Sequence, residues 1–221
     1  MKCELQRALP SVEGIHPEYL INFLNACEKA ESEIHGIMIA RHGKVIFEGY
    51  NAPYAADIPH IMHSFTKILT NTAYDDGLLK LEDPLLKYFP EYEADANEYL
   101  RACTIRNMIT MRNGQQRSIG GNEWRPLKTS WKEAYFRVPF DKKTGETYMY
   151  SSGNSYILSY IVQKLEGKTC RELVQERVGK EIGLNDFPWM LSPEGVCSGG
   201  NGVSLTTEDM LRIGLLYLNK G

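Results

Sequence analysis

A single strong β-hairpin, in a chain otherwise patterned for helices, limits what this sequence can fold into. Ile37-Met38-Ile39-Ala40 and Lys44-Val45-Ile46-Phe47-Glu48 flank Arg41-His42-Gly43, a short glycine-containing turn. An isolated two-stranded hairpin is marginal in water. These strands therefore need partners, and no later stretch reads as a comparably strong strand. A small antiparallel sheet covered by helices is the expected arrangement, an α+β fold.

The helices are marked by their caps. Pro17 opens a segment in which Leu20, Phe23, Leu24 and Cys27 repeat at helical spacing. Phe65 to Tyr74 reads as a helix stopped by Asp75-Asp76-Gly77. A loop holding Pro84 and Pro90 leads to Thr104, the cap of a short helix expected to end at Asn113-Gly114. Tyr156 to Glu166 is strongly apolar and stops at Gly167. Thr169 and Glu172 form a capping-box pattern ahead of Leu173, Val174 and Val178. Thr206-Thr207-Glu208-Asp209 starts an amphipathic helix carrying Leu211, Leu215 and Leu218, with Gly221 at its C-cap. There is no internal repeat or low-complexity linker.

With 221 residues, 43% of them hydrophobic, the chain can bury a sizeable core. The formal net charge is −3 and no dense Lys/Arg run occurs, so nucleic acid is not an expected partner. No apolar stretch is long enough for a membrane helix or signal peptide. Five scattered cysteines without a C-x-x-C pair read as reduced thiols, and a cytoplasmic location is expected.

The chemistry centres on His63-Ser64-Phe65-Thr66-Lys67. Residues three apart share a helix face, so Ser64 and Lys67 would sit side by side, while Phe65, Ile68, Leu69, Thr72 and Ala73 anchor the opposite face. Serine is a weak nucleophile until a neighbour takes its proton. A lysine can do so if its pKa falls from about 10.4 to about 7–8, which is about 4 kcal/mol of differential stabilisation. Spacing alone equally allows Ser64 to cap a helix and Lys67 to be solvated.

Other constellations are weaker. His60 and His63 are three apart, but no third metal ligand accompanies them, so no metal is expected. Gly199-Gly200-Asn201-Gly202 lacks the pattern of a phosphate loop and reads as a tight turn near a cleft. No G-x-S-x-G elbow is present. Trp124, Trp131 and Trp189 read as core residues.

Taken in order, the segments resemble the serine β-lactamases, penicillin-binding proteins and their esterase relatives. Ser64 to Lys67 resembles the S-x-x-K box. The hairpin from Gly36 to Tyr50, Leu79 to Pro84 with Tyr88-Phe89-Pro90, and Thr104 to Gly114 are similar to the family's flanking elements. Tyr148-Met149-Tyr150-Ser151-Ser152-Gly153 resembles its second catalytic box, and Gly199 to Met210 its late glycine loop and helix. Tyr150 would then be the tyrosine that shuttles protons between Ser64, Lys67 and the leaving group; Tyr148 is the competing candidate. Ser152 stands where many relatives have asparagine, and either binds substrate or Lys67 or is a plain turn serine. The helix after Lys67 is about one turn short. The family's final Lys-Thr-Gly-type box is absent, and the resemblance places it, with central strands and one oxyanion-hole N–H, in a segment beyond Gly221.

The resemblance implies a β-lactamase/transpeptidase-like α+β fold. It would form one domain over residues 1–221, incomplete at its C-terminus, with a helical lobe over roughly 75–200 inserted after the nucleophile helix. It implies a serine hydrolase that forms an acyl-enzyme with an ester, amide or β-lactam, needs no cofactor, and meets a small-molecule substrate rather than nucleic acid or membrane. A non-catalytic binding or sensor domain of the same fold, or an inactive fragment, is the alternative.

Overall fold

The hairpin forms where its turn chemistry puts it. The computed structural model describes residues 4–53, 60–62, 66–184 and 186–221. In chain order, the regular elements are helix α1 (Pro17–Lys29), strands β1 (Gly36–Arg41), β2 (Lys44–Tyr50) and β3 (His60–Met62), and helices α2 (Thr66–Asp75), α3 (Glu98–Arg101), α4 (Ile105–Ile109), α5 (Trp131–Phe136), α6 (Ser152–Glu166), α7 (Cys170–Val174) and α8 (Lys180–Ile182). Strand β4 (Val203–Leu205) and helix α9 (Thr207–Leu218) follow. The chain divides into two compact units, one built from residues 1–60, 177–187 and 204–221, the other from 61–176 and 188–203.

In the first unit, β1 and β2 pair antiparallel from Gly36↔Tyr50 to Arg41↔Lys44, with a bulge at Ile39/Ala40. His42 and Gly43 both take positive φ, 51° and 78°, which gives a two-residue turn whose twist matches the strands. The outer edge of β2 is extended by residues 6–8 through Val45 N–H to Gln6 O (2.8 Å) and Ala8 N–H to Val45 O (3.0 Å). Glu13, almost fully buried, accepts hydrogen bonds from Lys44 Nζ (2.6 Å) and meets His42 Nδ1 at 2.9 Å, so it pins the N-terminal turn to the hairpin loop. Those two bonds, the lysine's first, hold its carboxyl below the usual range.

Helix α9 packs against β1. Gly36 permits that approach: a Cβ there would lie 2.8 Å from Thr207 Oγ1 and 2.9 Å from the Tyr50 ring. Thr206 caps α9 by accepting from Asp209 N–H, as its position in the sequence predicts. The buried face of α9 differs from the expected leucine stripe. Ile213 and Arg212 are buried, whereas Leu218 is 73% exposed. Arg212 earns its place through bonds to Ile182 O (2.9 Å) and Glu208 (2.5 Å). On the other side of the hairpin, α1 buries no residue fully, and Leu24 and Cys27 line a cavity of about 530 Å³ together with Ile34, Ile37, Phe47 and Tyr50.

The second unit is organised around α6. Nine of its fifteen residues are buried, from Gly153 to Val162, and α2, α4 and α7 pack against it. Leu69, Thr70 and Ala73 form the buried side of α2. That helix ends at Asp75, with Gly77 at φ 74° and Leu78 N–H returning to Ala73 O, as the Asp-Asp-Gly run predicts. Helix α4 is shorter than expected. Thr104 caps it in a reciprocal box with Asn107, but it stops at Ile109, and Met111 takes φ 59° before Asn113 is reached. Helix α6 is longer than expected and begins four residues before the apolar run, at Ser152. The Thr169–Glu172 box forms as read, and α7 continues through a π-helical turn at Gln175–Gly179 into α8. Trp124, Trp131 and Trp189 are core residues, each at most 6% exposed, and Trp124 and Trp131 meet the Tyr156 ring edge-on at centroid distances of 5.3 and 5.5 Å.

Two polar clusters fix this unit. Asp83 accepts from Lys87 Nζ (2.8 Å), Tyr88 Oη (2.6 Å) and Lys80 N–H (2.9 Å). Its loop is joined to the start of α4 through Ile105 N–H to Asp83 O and Arg106 N–H to Leu81 O. Deeper, Asn113, Gln115, Tyr135 and Asn154 are wholly buried. Asn113 Nδ2 lies 2.9 Å from Gln115 Oε1, 2.8 Å from Tyr135 Oη and 3.0 Å from Asn154 Oδ1, and Tyr135 Oη donates to Asn154 Oδ1 at 3.0 Å. Gln115 Nε2 closes the set on Tyr135 O (2.9 Å).

Two outcomes are expected. Burial alone would raise the Asp83 pKa, but the bonds from Lys87, Tyr88 and Lys80 outweigh it and bring it from 3.8 down to about 2. A depressed carboxylate stabilises the fold above its unfolded pKa and loses that contribution as pH falls through the folded one. Asp83→Asn should therefore cost about 2 kcal/mol near neutrality and little at pH 2, which urea unfolding at both pH values measures. In the deeper cluster, Asn113→Ala strips the shared donor from three acceptors and should lower stability by about 1–3 kcal/mol per partner left unpaired. Tyr135→Phe should cost less, because Asn113 still reaches Asn154; denaturant midpoints of the two variants check the order.

Candidate active site

The segment that resembles the second catalytic box is held by backbone pairing on both sides. Met149 N–H donates to Met111 O (2.8 Å), and Gly153 N–H donates to Ile119 O (2.8 Å). Between them Ser151, the N-cap residue of α6, has extended backbone and is fully buried. Its hydroxyl donates to Ile119 O (3.1 Å) and accepts from Ile119 N–H (3.3 Å). Ser151 is therefore consumed in fixing the strand-like segment, a role the sequence did not signal. Its neighbours are more open: Tyr148 is 61% and Tyr150 50% exposed.

Ser152 is the first residue of α6 and is half-buried. It rests between two glycines that can have no side chain. A Cβ on Gly120 (φ 114°) would lie 2.9 Å from Gly153 N and 3.1 Å from Ser152 Cβ. A Cβ on Gly200 would lie 2.8 Å from Ser152 O and 2.9 Å from its Cβ. Gly199, next to it, comes closer still to α6, 2.4 Å from Ser155 O by the same measure. The glycine loop is thus a tight turn laid flat on α6, which requires small residues at Ser152, Ser155 and Ser159. Glycine pairs at 120–121 and 199–200 were the only sign of these contacts in the sequence.

Lys67 is the second residue of α2, and α2 packs directly on α6. The helices that bear Lys67 and Ser152 are therefore neighbours. Ser64 lies outside the described residues, as does His63 of the histidine pair. Below the site, Asn154 joins the start of α6 to the Asn113–Tyr135 cluster, so the level of Tyr150 and Ser152 is set by bonds to α5 and to the turn after α4. Among the described residues, no three His, Cys, Asp or Glu side chains are placed to hold a metal ion, and no helix is long and apolar enough to cross a membrane.

The fold has counterparts. Residues 24–221 match the profile of the family described as Beta-lactamase. A 6-aminohexanoate-dimer hydrolase of Paenarthrobacter ureafaciens is 23% identical over 209 residues, 83% of this chain and 52% of that protein. A Bacillus anthracis structure that carries the 6-aminohexanoate-dimer hydrolase name superposes with a TM-score of 0.74 at 19% identity, over 89% of this chain and 56% of the other. The octameric penicillin-binding protein homologue of Pyrococcus abyssi gives 0.66 at 19% identity, over 93% and 57%. The chain spans about half the length of that curated relative. With its mixed helices and small antiparallel sheet it has the β-lactamase/transpeptidase-like fold, and it belongs to the Beta-lactamase family.

Proposed function

We propose that this chain carries the nucleophile, lysine and tyrosine of a serine hydrolase that works through an acyl-enzyme. The observation that carries the reading is the pairing of elements: the helix bearing Lys67 packs on the helix whose entry segment presents an exposed Tyr150 and a half-buried Ser152. In this mechanism Ser64 Oγ attacks a carbonyl carbon. Its proton passes to Lys67 or Tyr150, and the same groups return a proton to the leaving amine or alcohol. Water then attacks the acyl-serine by the reverse route, releasing the acid. A phenol can both give and take a proton, which suits Tyr150 to the role of relay with Lys67. Ser152, cradled by Gly120 and Gly200, would bond the substrate or Lys67 in place of the family's asparagine.

Among carbonyl substrates an amide is favoured. The name of the Paenarthrobacter ureafaciens relative denotes a dimer of an amino acid, joined through an amide, and linear amides of that kind are the first class to test. A second reading rests on Ser152, which stands where many relatives have asparagine: a domain of the same fold that binds acyl donors without turnover.

Intact-mass spectrometry after incubation with an activated ester, a penicillin or the 6-aminohexanoate dimer tests both. The expected result is one acyl adduct per chain, absent from Ser64→Ala. An adduct of equal size in Ser64→Ala would sink the assignment, and binding by calorimetry with no adduct on the native chain would favour the second reading. Tyr150→Phe should slow acylation by about 10²–10⁴-fold, whereas Tyr148→Phe should leave the rate near that of the native chain; the reverse order would move the proton relay to Tyr148.

A further inference from the structure

Two of the scattered cysteines meet in the core of the second unit. Cys170 opens α7, and Cys197 stands in a short hairpin secured by Ser192 N–H to Val196 O (2.8 Å) and Ser198 N–H to Met190 O (2.9 Å). Both are fully buried and both are free thiols. Helix α6 holds the two together with the same two side chains. Gln163 Oε1 accepts the backbone N–H of Cys170 (3.2 Å) and that of Cys197 (2.9 Å). One turn earlier, Ser159 Oγ lies 3.0 Å from Cys170 Sγ and donates to Cys197 O (2.8 Å). Three of these four bonds go to backbone groups, so they fix positions 170 and 197 side by side in the core, and the fourth holds the Cys170 sulfur at that junction.

The thiols are also unequal. The Cys170 thiol hydrogen-bonds to Cys197, and this, with the backbone N–H groups of Arg171 and Cys170 against burial, lowers the Cys197 pKa. The same bond, then burial, pushes Cys170 well above its ordinary value. One sulfur is thus the better thiolate and its neighbour keeps the proton.

We propose that Cys170 and Cys197 form a reversible disulfide that ties α7 to the hairpin carrying the glycine loop. With a peroxide as oxidant, the Cys197 thiolate attacks one oxygen and the O–O bond breaks, leaving a sulfenic acid and releasing hydroxide. The Cys170 sulfur then attacks the sulfenic sulfur, the S–S bond forms, and the departing hydroxide leaves as water with the Cys170 proton. Two thiols lose two electrons and two protons, and one peroxide becomes two waters. The bond would be felt at the candidate site, because two and three residues after Cys197 stand Gly199 and Gly200, which rest on Ser155 and Ser152.

The test is treatment of the folded chain with hydrogen peroxide, alkylation of the remaining thiols under denaturing conditions, and non-reducing peptide mapping. The expected result is a loss of two hydrogens, a Cys170–Cys197 linked peptide, three alkylated cysteines, and reversal by dithiothreitol. In Cys170→Ser, a sulfenic acid at Cys197 should be trapped by dimedone, and the oxidised native chain should melt above the reduced one. Cys170 and Cys197 both alkylated after peroxide, while Cys27 or Cys3 is oxidised, would overturn the proposal, as would a disulfide joining any other pair. The native-chain measurement decides this whether or not the serine variant folds.

Discussion

Burying a helix that is half polar requires every polar group on it to find a partner inside the protein, and α6 is that helix. Asn154 cannot be left unpaired at zero exposure, and its amide is met by Asn113, Tyr135 and Met108 O. Those partners come from α4 and the turn after it and from α5, so satisfying one side chain fixes three elements at once. The aromatic packing of Trp124 and Trp131 on Tyr156 and the buried face of α2 then close around a helix whose height is already set. A site at the start of α6 gains a rigid floor from this arrangement.

The first unit is held by different means. Its hairpin has an apolar β1 in which none of Ile37, Met38 and Ile39 is fully buried, and α1 gives it little cover. Charge and shape do more of the work there. Glu13 bridges Lys44 and His42, Arg7 reaches Glu48 and Glu208, and a glycine at 36 lets the first turn of α9 come close. The exposed Arg7 pairs contribute little each, whereas Glu13 is nearly buried. The buried Arg212, bonded to Ile182 O and Glu208, is the stronger tie between α9 and α8.

What the sequence disclosed was mostly local. The His42-Gly43 turn, the caps at Thr104, Thr169 and Thr206, and the stop at Gly167 each rest on chemistry within four residues, and each formed where it was read. The start of α6 was not legible. Ser151-Ser152-Gly153-Asn154 has poor helix propensity and reads as a loop, yet burial and the Asn154 cluster make its last three residues helical. The end of α4 was missed for the opposite reason: Met111 takes a left-handed conformation that a methionine does not announce. Leu218 keeps helical spacing but stands 73% exposed, since spacing gives a face and not what covers it. At the candidate site, the roles of Ser151, Gly120 and Gly200 were not legible, because they depend on segments distant in the chain.

The same helix also explains why the glycine loop sits where it does. Ser152, Ser155, Ser159 and Gln163 are spaced three or four apart and so form one stripe along α6. Each meets the 189–203 segment: Gly200 on Ser152, Gly199 on Ser155, Cys197 O on Ser159, and Cys197 N–H on Gln163. Small residues at the first three positions allow backbone to lie against backbone, and the amide at the fourth accepts a donor that burial would otherwise orphan. Sliding the helix by one residue would turn this stripe away and bring Gly153, Tyr156 and Tyr160 against the loop, where the tyrosine rings could not fit beneath Gly199. The loop therefore reads the register of α6 along its whole length, and Ser152 inherits its position from contacts made three turns further on.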